Sequence, residues 1–146
     1  MKVTDYIKEE HKQVEALFEE FDKKKHLTIV QKISDILLPH HHAEEHTVFP
    51  GVAKESPQKQ EVVDYLKAEH DIIHLQLKDI LSGKRSDSLF EAKVEVLKEL
   101  VEHHLKEEED VFFKHAEEVY TEAALEKTTP KFKQAEEDYQ EQPTND

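Results

Sequence analysis

Eleven histidines stand in a chain of 146 residues, and their spacing suits metal coordination. His40 and Glu44, His70 and His74, and His104 and Glu108 are each four residues apart. Side chains at i and i+4 lie one above the other on a helix face, so each pair aims two ligand-type groups in one direction. His11 stands alone, on the face of Val14 and Phe18. Every group falls on an apolar stripe. Ile33, Ile36 and Leu37 lead to His40, Leu66 and Leu77 flank the His70–His74 pair, and Leu97 and Val101 lead to His104. A single buried histidine is most often a hydrogen-bonded core residue, and one such pair arises readily by chance. The conjunction of four groups on four stripes is what points to a metal. Buried without a shared partner, so many polar groups would together cost on the order of several kcal/mol. Five imidazoles and two carboxylates also exceed what one tetrahedral zinc takes. They suit two octahedral metals bridged by the carboxylates, and imidazole with carboxylate favours iron over a soft-metal site.

Breaker residues define the elements that must position these groups. Thr4 is the expected N-cap of a first helix with Ile7, Val14, Leu17, Phe18 and Phe21 on one face, ended by the Lys23–His26 run. Thr28 is the expected cap of a second, running to Phe49 and stopped by Pro50-Gly51, with a kink or local unwinding at Pro39. Ser56-Pro57 opens a third, which Gly83 closes. Ser88 to Glu91 has the form of a capping box for a fourth helix extending toward Lys127. Thr128-Thr129-Pro130 then breaks the chain, with a short fifth helix over Lys131 to Tyr139 and a frayed end. The expectation is an all-α protein, an up-down-up-down antiparallel four-helix bundle with a short C-terminal helix or tail. Residues 1–127 would form one domain and 128–146 a partly disordered extension.

Composition narrows the function. Lys and Arg number 20 against 34 Asp and Glu, a net charge of −14, which disfavours nucleic acid and anionic membrane as partners. Two glycines argue against a β-rich fold, and the absence of cysteine excludes disulfides, thiol chemistry and zinc ribbons. No stretch is apolar enough to span a bilayer and the first residues do not read as a signal peptide, so a cytoplasmic location is expected. The chain also reads as a diverged duplication: His40 to Phe49 and His104 to Phe113 both span nine positions, and Glu-Glu-His at 9–11 parallels Ala-Glu-His at 68–70. Ferritin-like di-iron sites use ExxH, the opposite order to HxxxE. His42-Ala-Glu-Glu45-His46 fits the HxxEH protease motif only within a His-rich run, and His70-Asp-Ile-Ile-His74 has Asp where the glutamate of HExxH belongs.

These motifs resemble the hemerythrin-like (HHE cation-binding) domains. The resemblance rests on His11, His40-x-x-x-Glu44 followed by Glu45-His-Thr-Val-Phe-Pro50, His70-x-x-x-His74 and His104-x-x-x-Glu108, in the family's order from His11 to Phe113. It implies a non-haem di-iron centre in which Glu44 and Glu108 bridge two iron ions, with an oxo or hydroxo group. His11, His40, His70, His74 and His104 would be terminal ligands, three on one iron and two on the other. Two register alternatives stay open, His41 with Glu45 on the second helix and His103 with Glu107 on the fourth. Lys114 stands where the family usually has proline. Within the acidic run 107–110, Glu108 alone is expected to point inward, and loss of Glu109 to be nearly silent. His26, His42, His46, His103 and His115 are expected in solvent or just outside the ligands. The resemblance implies binding of oxygen or another small diatomic ligand, for oxygen binding or for oxygen, iron or redox sensing, by a monomer or weak homo-oligomer rather than a turnover catalyst. The family's alternatives are iron–sulfur cluster repair or handling of nitric oxide or peroxide, and iron buffering.

Overall fold

A computed structural model describes residues 1–83 and 87–139, and among them the chain is all helix and turn. Helix α1 (Val3–Lys24) is followed by α2 (Leu27–Ala43), which passes through a π-helical turn (Glu44–Val48) directly into α3 (Phe49–Ala53). Next come α4 (Pro57–Ser82) and α5 (Asp87–Glu107). Helix α5 continues through a second π turn (Glu108–Phe112) into α6 (Phe113–Val119), and α7 (Glu122–Asp138) closes the described chain. Helix α1 packs on α2 and α5, α4 on α5 and α2, and α7 on α1, α2 and the first π turn.

Local chemistry accounts for several ends. Lys25 takes a left-handed conformation (φ 56°) and its N–H returns to the Phe21 carbonyl at 2.8 Å, which closes α1. Ser56 Oγ accepts the Lys59 N–H at 3.2 Å with Pro57 in the first turn, as its sequence signature requires. Thr4 and Thr28 do not cap: the cap positions are Lys2 and His26, two residues earlier, and Thr4 is buried. Ser88 lies in the first turn of α5, and the residue that would cap that helix lies outside the described residues, as does the end expected to fray.

Proline has less effect than the sequence suggests. Helix α2 runs through Pro39 without a break, and its irregularity is the π turn five residues later. Pro50 is tolerated because it falls in the first turn after that widening. Helix α7 runs through Pro130, spanning the expected break, because Leu125, Thr129 and Phe132 at i, i+4 and i+7 are all buried. The chain breaks instead at Tyr120, and Thr121 Oγ1 caps α7 by accepting the Ala124 N–H at 3.1 Å.

Two apolar cores result. One joins Phe18, Phe21, Ile33, Leu37, Leu77 and Leu97 with their neighbours, and the other joins Ile7, Phe49, Leu66, Phe112, Phe113 and Phe132. His11, His40, His70 and His104 separate the two sets along their helices, so a polar layer interrupts the interior.

Candidate metal centre

Buried histidines and glutamates in that layer form two groups. His11, His40, Glu44 and Glu108 are one, and His41, Glu44, His70 and His104 are the other; within each group one ligand atom per residue lies within 4.8 Å of the rest. Glu44 belongs to both. All seven side chains are at most 1% exposed. Within the layer, His11 Nε2 lies 3.1 Å from Glu108 Oε1, His70 Nε2 lies 3.3 Å from Glu44 Oε1, and His104 Nε2 lies 3.8 Å from Glu108 Oε2.

Four further carboxylates fix the rings. The Nδ1 atoms of His11, His40, His70 and His104 lie 2.7–2.8 Å from Glu109, Glu10, Glu45 and Glu69 respectively. Each of these glutamates sits next to a member of the two groups in sequence, yet serves a histidine on a different helix. The arrangement repeats: Glu10 and Glu69 serve His40 and His104, while Glu45 and Glu109 serve His70 and His11. A carboxylate at Nδ1 makes that nitrogen the N–H donor, leaving the Nε2 lone pair to face inward and become a better metal donor.

The inward atoms lack protein partners. The Nε2 atoms of His11, His40 and His41 and both carboxylate oxygens of Glu44 and Glu108 are buried with no hydrogen bond. His70 Nε2 and His104 Nε2 face each other at 3.1 Å. With both Nδ1–H groups directed at carboxylates, two lone pairs oppose there, and only a proton or a cation between them relieves the repulsion. Buried orphans at this density cost about 1–3 kcal/mol each, and a cation with nitrogen and oxygen ligands satisfies all of them.

Electrostatics divides the groups. Burial pushes Glu44 well above the usual carboxylate range, and the neighbouring Glu108 adds to it. Burial opposes charge on Glu108 as well, but contact with Glu44 and His11 outweighs it and holds Glu108 low. Burial lowers His41 and His70 well below the imidazole range, helped by the surrounding imidazoles. In His11 and His40 burial is outweighed by the facing carboxylates, chiefly Glu108 and Glu109 for His11 and Glu10 for His40, and both are raised. Helix α7 closes the His40 side. Phe132 meets the His40 ring edge-on at 5.6 Å, and Tyr6 donates to Glu136 at 2.8 Å. Burial with the nearby Glu10 pushes Glu136 up to about 8.

The structure thus brings together His11, His40, Glu44, His70, His104 and Glu108. Both histidines of the 40/41 alternative turn inward, one into each group, while Glu45 stays outside as the partner of His70. His74 is in neither group; its Nε2 lies 3.0 Å from His41 Nδ1. His103 is exposed beside Tyr65 and Glu69, and Glu107 lines a surface groove with Val111. His42 and His46 pack ring against ring at a tilt of 33°, outside the groups. Glu109, expected to be silent, has its carboxylate 2.7 Å from His11 Nδ1. Sequence reading missed the supporting roles of Glu10, Glu69 and Glu109. The signal was present in the duplication, which pairs Glu10-His11 with Glu69-His70.

An all-helical set of described residues, with a buried layer of imidazoles and carboxylates whose inward atoms are largely without hydrogen bonds, defines a cation-binding helical protein. The hemerythrin HHE cation-binding domain model matches residues 2–116, and the chain belongs to that family. Comparison with curated proteins and with solved structures gave no match. Among the described residues no helix is long and apolar enough to cross a membrane.

Proposed function

We propose that the centre holds two iron ions and binds oxygen or a related small ligand, as a binding or sensing protein rather than a turnover catalyst. The observation that carries this reading is the sharing of Glu44 by two four-residue groups whose inward atoms have no protein partner. One carboxylate shared by two donor sets suits a pair of metals, and Glu108, within reach of His11 and of His104, would help to hold both. His11 and His40 serve one position, and His70 and His104 with a third imidazole serve the other. The neighbour relations of the four long helices suit an up-down-up-down bundle with α7 laid across it. Ferrous ions held by these residues would supply the electrons for binding a diatomic ligand. The chain's own residues hold the rings, and Phe49, Phe112, Phe113 and Phe132 exclude water from them.

Anaerobic reconstitution with ferrous iron tests the reading. Two irons per chain, with a reversible charge-transfer band on admitting oxygen, are expected. Two irons that pass at once to a stable oxidised form would move the assignment to redox sensing or repair chemistry. One metal or none would overturn the two-iron centre.

A further inference from the structure

We propose that the third imidazole of the second metal position is His41, and that His74 is its positioning residue rather than a ligand. This rests on the two-metal reading above. His41 is fully buried, its Nε2 has no hydrogen-bond partner, and the residue belongs to the group with Glu44, His70 and His104. Its ring lies flat on His70, centroids 3.7 Å apart and 12° between planes, with the His104 ring edge-on at 5.3 Å. His74, only half-buried, is absent from the group, and its ring stands 6.5 Å from His70. Its Nε2 faces His41 Nδ1 at 3.0 Å. An imidazole nitrogen that accepts the His41 Nδ1–H has no lone pair left for a metal, while that same bond turns the His41 Nε2 lone pair inward.

The duplication supports the assignment. The position equivalent to His41 in the second half is Leu105, a buried apolar residue, and the one equivalent to His74 in the first half is the exposed Glu15. The His41–His74 pair therefore belongs to one half only. It gives that metal position three imidazoles and leaves the other with two. It also sets His41 apart from the other four rings. Each of those has a carboxylate on Nδ1, whereas His41 has a neutral imidazole, which makes it the least basic donor of the set.

Cobalt(II) binding tests this, with metal per chain measured after dialysis and affinity by competition with a chromophoric chelator. Wild type is expected to hold two cobalt ions. His41→Ala is expected to hold one. His74→Gln, which keeps an acceptor for the His41 N–H, keeps two with less than about a tenfold change in affinity. His74→Ala keeps two at saturation, weakened about 10- to 100-fold, the usual effect of removing an outer hydrogen-bond partner. Loss of a cobalt from His74→Gln, or retention of two by His41→Ala, would overturn the assignment. Fewer than two in the wild type would instead sink the two-metal reading and this proposal with it. A readout that needs no variant is carbethoxylation of wild-type histidines, mapped by mass spectrometry. His74 should be modified equally with and without cobalt, and protection of His74 by the metal would make it a ligand after all.

Discussion

Glu109→Gln and Glu109→Ala should weaken metal binding, although Glu109 makes no contact with the inward atoms. Its carboxylate holds His11 Nδ1 at 2.7 Å and is itself held below the usual carboxylate range by that bond. Removing an outer partner of a ligand histidine typically costs about 10- to 100-fold in affinity, or about 1.4–2.7 kcal/mol. The Glu109 side chain is 32% exposed, so solvent screening places it near the lower limit for Gln, with Ala worse because the acceptor is lost too. Glu69, at 8% exposed beside His104, should fall near the upper limit. A chelator competition assay with cobalt(II) measures these differences. It must be run at a pH where His11 is unprotonated in every variant, since losing Glu109 also weakens the proton that competes with the metal. Asp110→Ala, an exposed neighbour in the same acidic run, is the control. Equal affinities for Glu109→Ala and Asp110→Ala would refute the claim that ring orientation is set by these carboxylates.

Further outcomes follow from the same geometry. Cation binding should release protons near neutral pH, because Glu44, His11 and His40 all have raised values in the metal-free protein and must give up their protons. Affinity then falls as pH falls, and calorimetry in buffers of different ionisation enthalpy should detect the release; identical heats in all buffers would contradict it. Gly51→Ala should destabilise the fold by about 1–3 kcal/mol, since a Cβ there meets the Tyr120 hydroxyl that donates to the Val48 carbonyl. A urea midpoint unchanged from wild type would show that Tyr120 moves aside freely. Phe132→Ala should cost about 3–5 kcal/mol and expose α7 to protease, because Phe132 is fully buried against Tyr6 and His40. Loss of protection confined to α7, with global stability unchanged, would mean that the helix is an independent appendage.

Most of the inner layer was legible because periodicity and the i, i+4 rule act within single helices. His40 with Glu44 and His104 with Glu108 are spaced by that rule, as is His70, and His11 shares the apolar stripe of Val14 and Phe18. What failed depended on departures from regular geometry or on contacts between helices. A uniform helix at about 3.6 residues per turn puts Val111 and Phe112 on the stripe of His104. The π turn over Glu108–Phe112 advances the register, so Phe112 and Phe113 are buried while Val111 lines a surface groove. Treating His40 and His41 as rival registers assumed that one face of α2 meets one site. His40 falls in one group and His41 in the other, with Glu44 common to both. Glu109 looked solvated because its partner, His11, is 98 residues away.

The centre gathers many carboxylates in and around a layer that water does not reach. Glu44 and Glu108 lie inside, and Glu10, Glu45, Glu69 and Glu109 stand immediately around them. Without metal, Glu44 and the His11 and His40 rings are all shifted toward their protonated forms, and orphan donor atoms remain. Six carboxylates therefore make metal-free folding costlier while making cation binding stronger, because the same groups repel one another and attract a divalent ion. The polar layer lies between two apolar cores built from the same helices, so its free energy couples directly to global folding. Binding to the folded chain alone stabilises it by RT ln(1 + [metal]/Kd), about 2.7 kcal/mol at a hundredfold excess over Kd. The unfolding temperature should accordingly rise with free metal concentration, and the rise should shrink in Glu69→Gln by the amount its affinity falls. A rise that is the same in both proteins would show that the bound metal sits elsewhere.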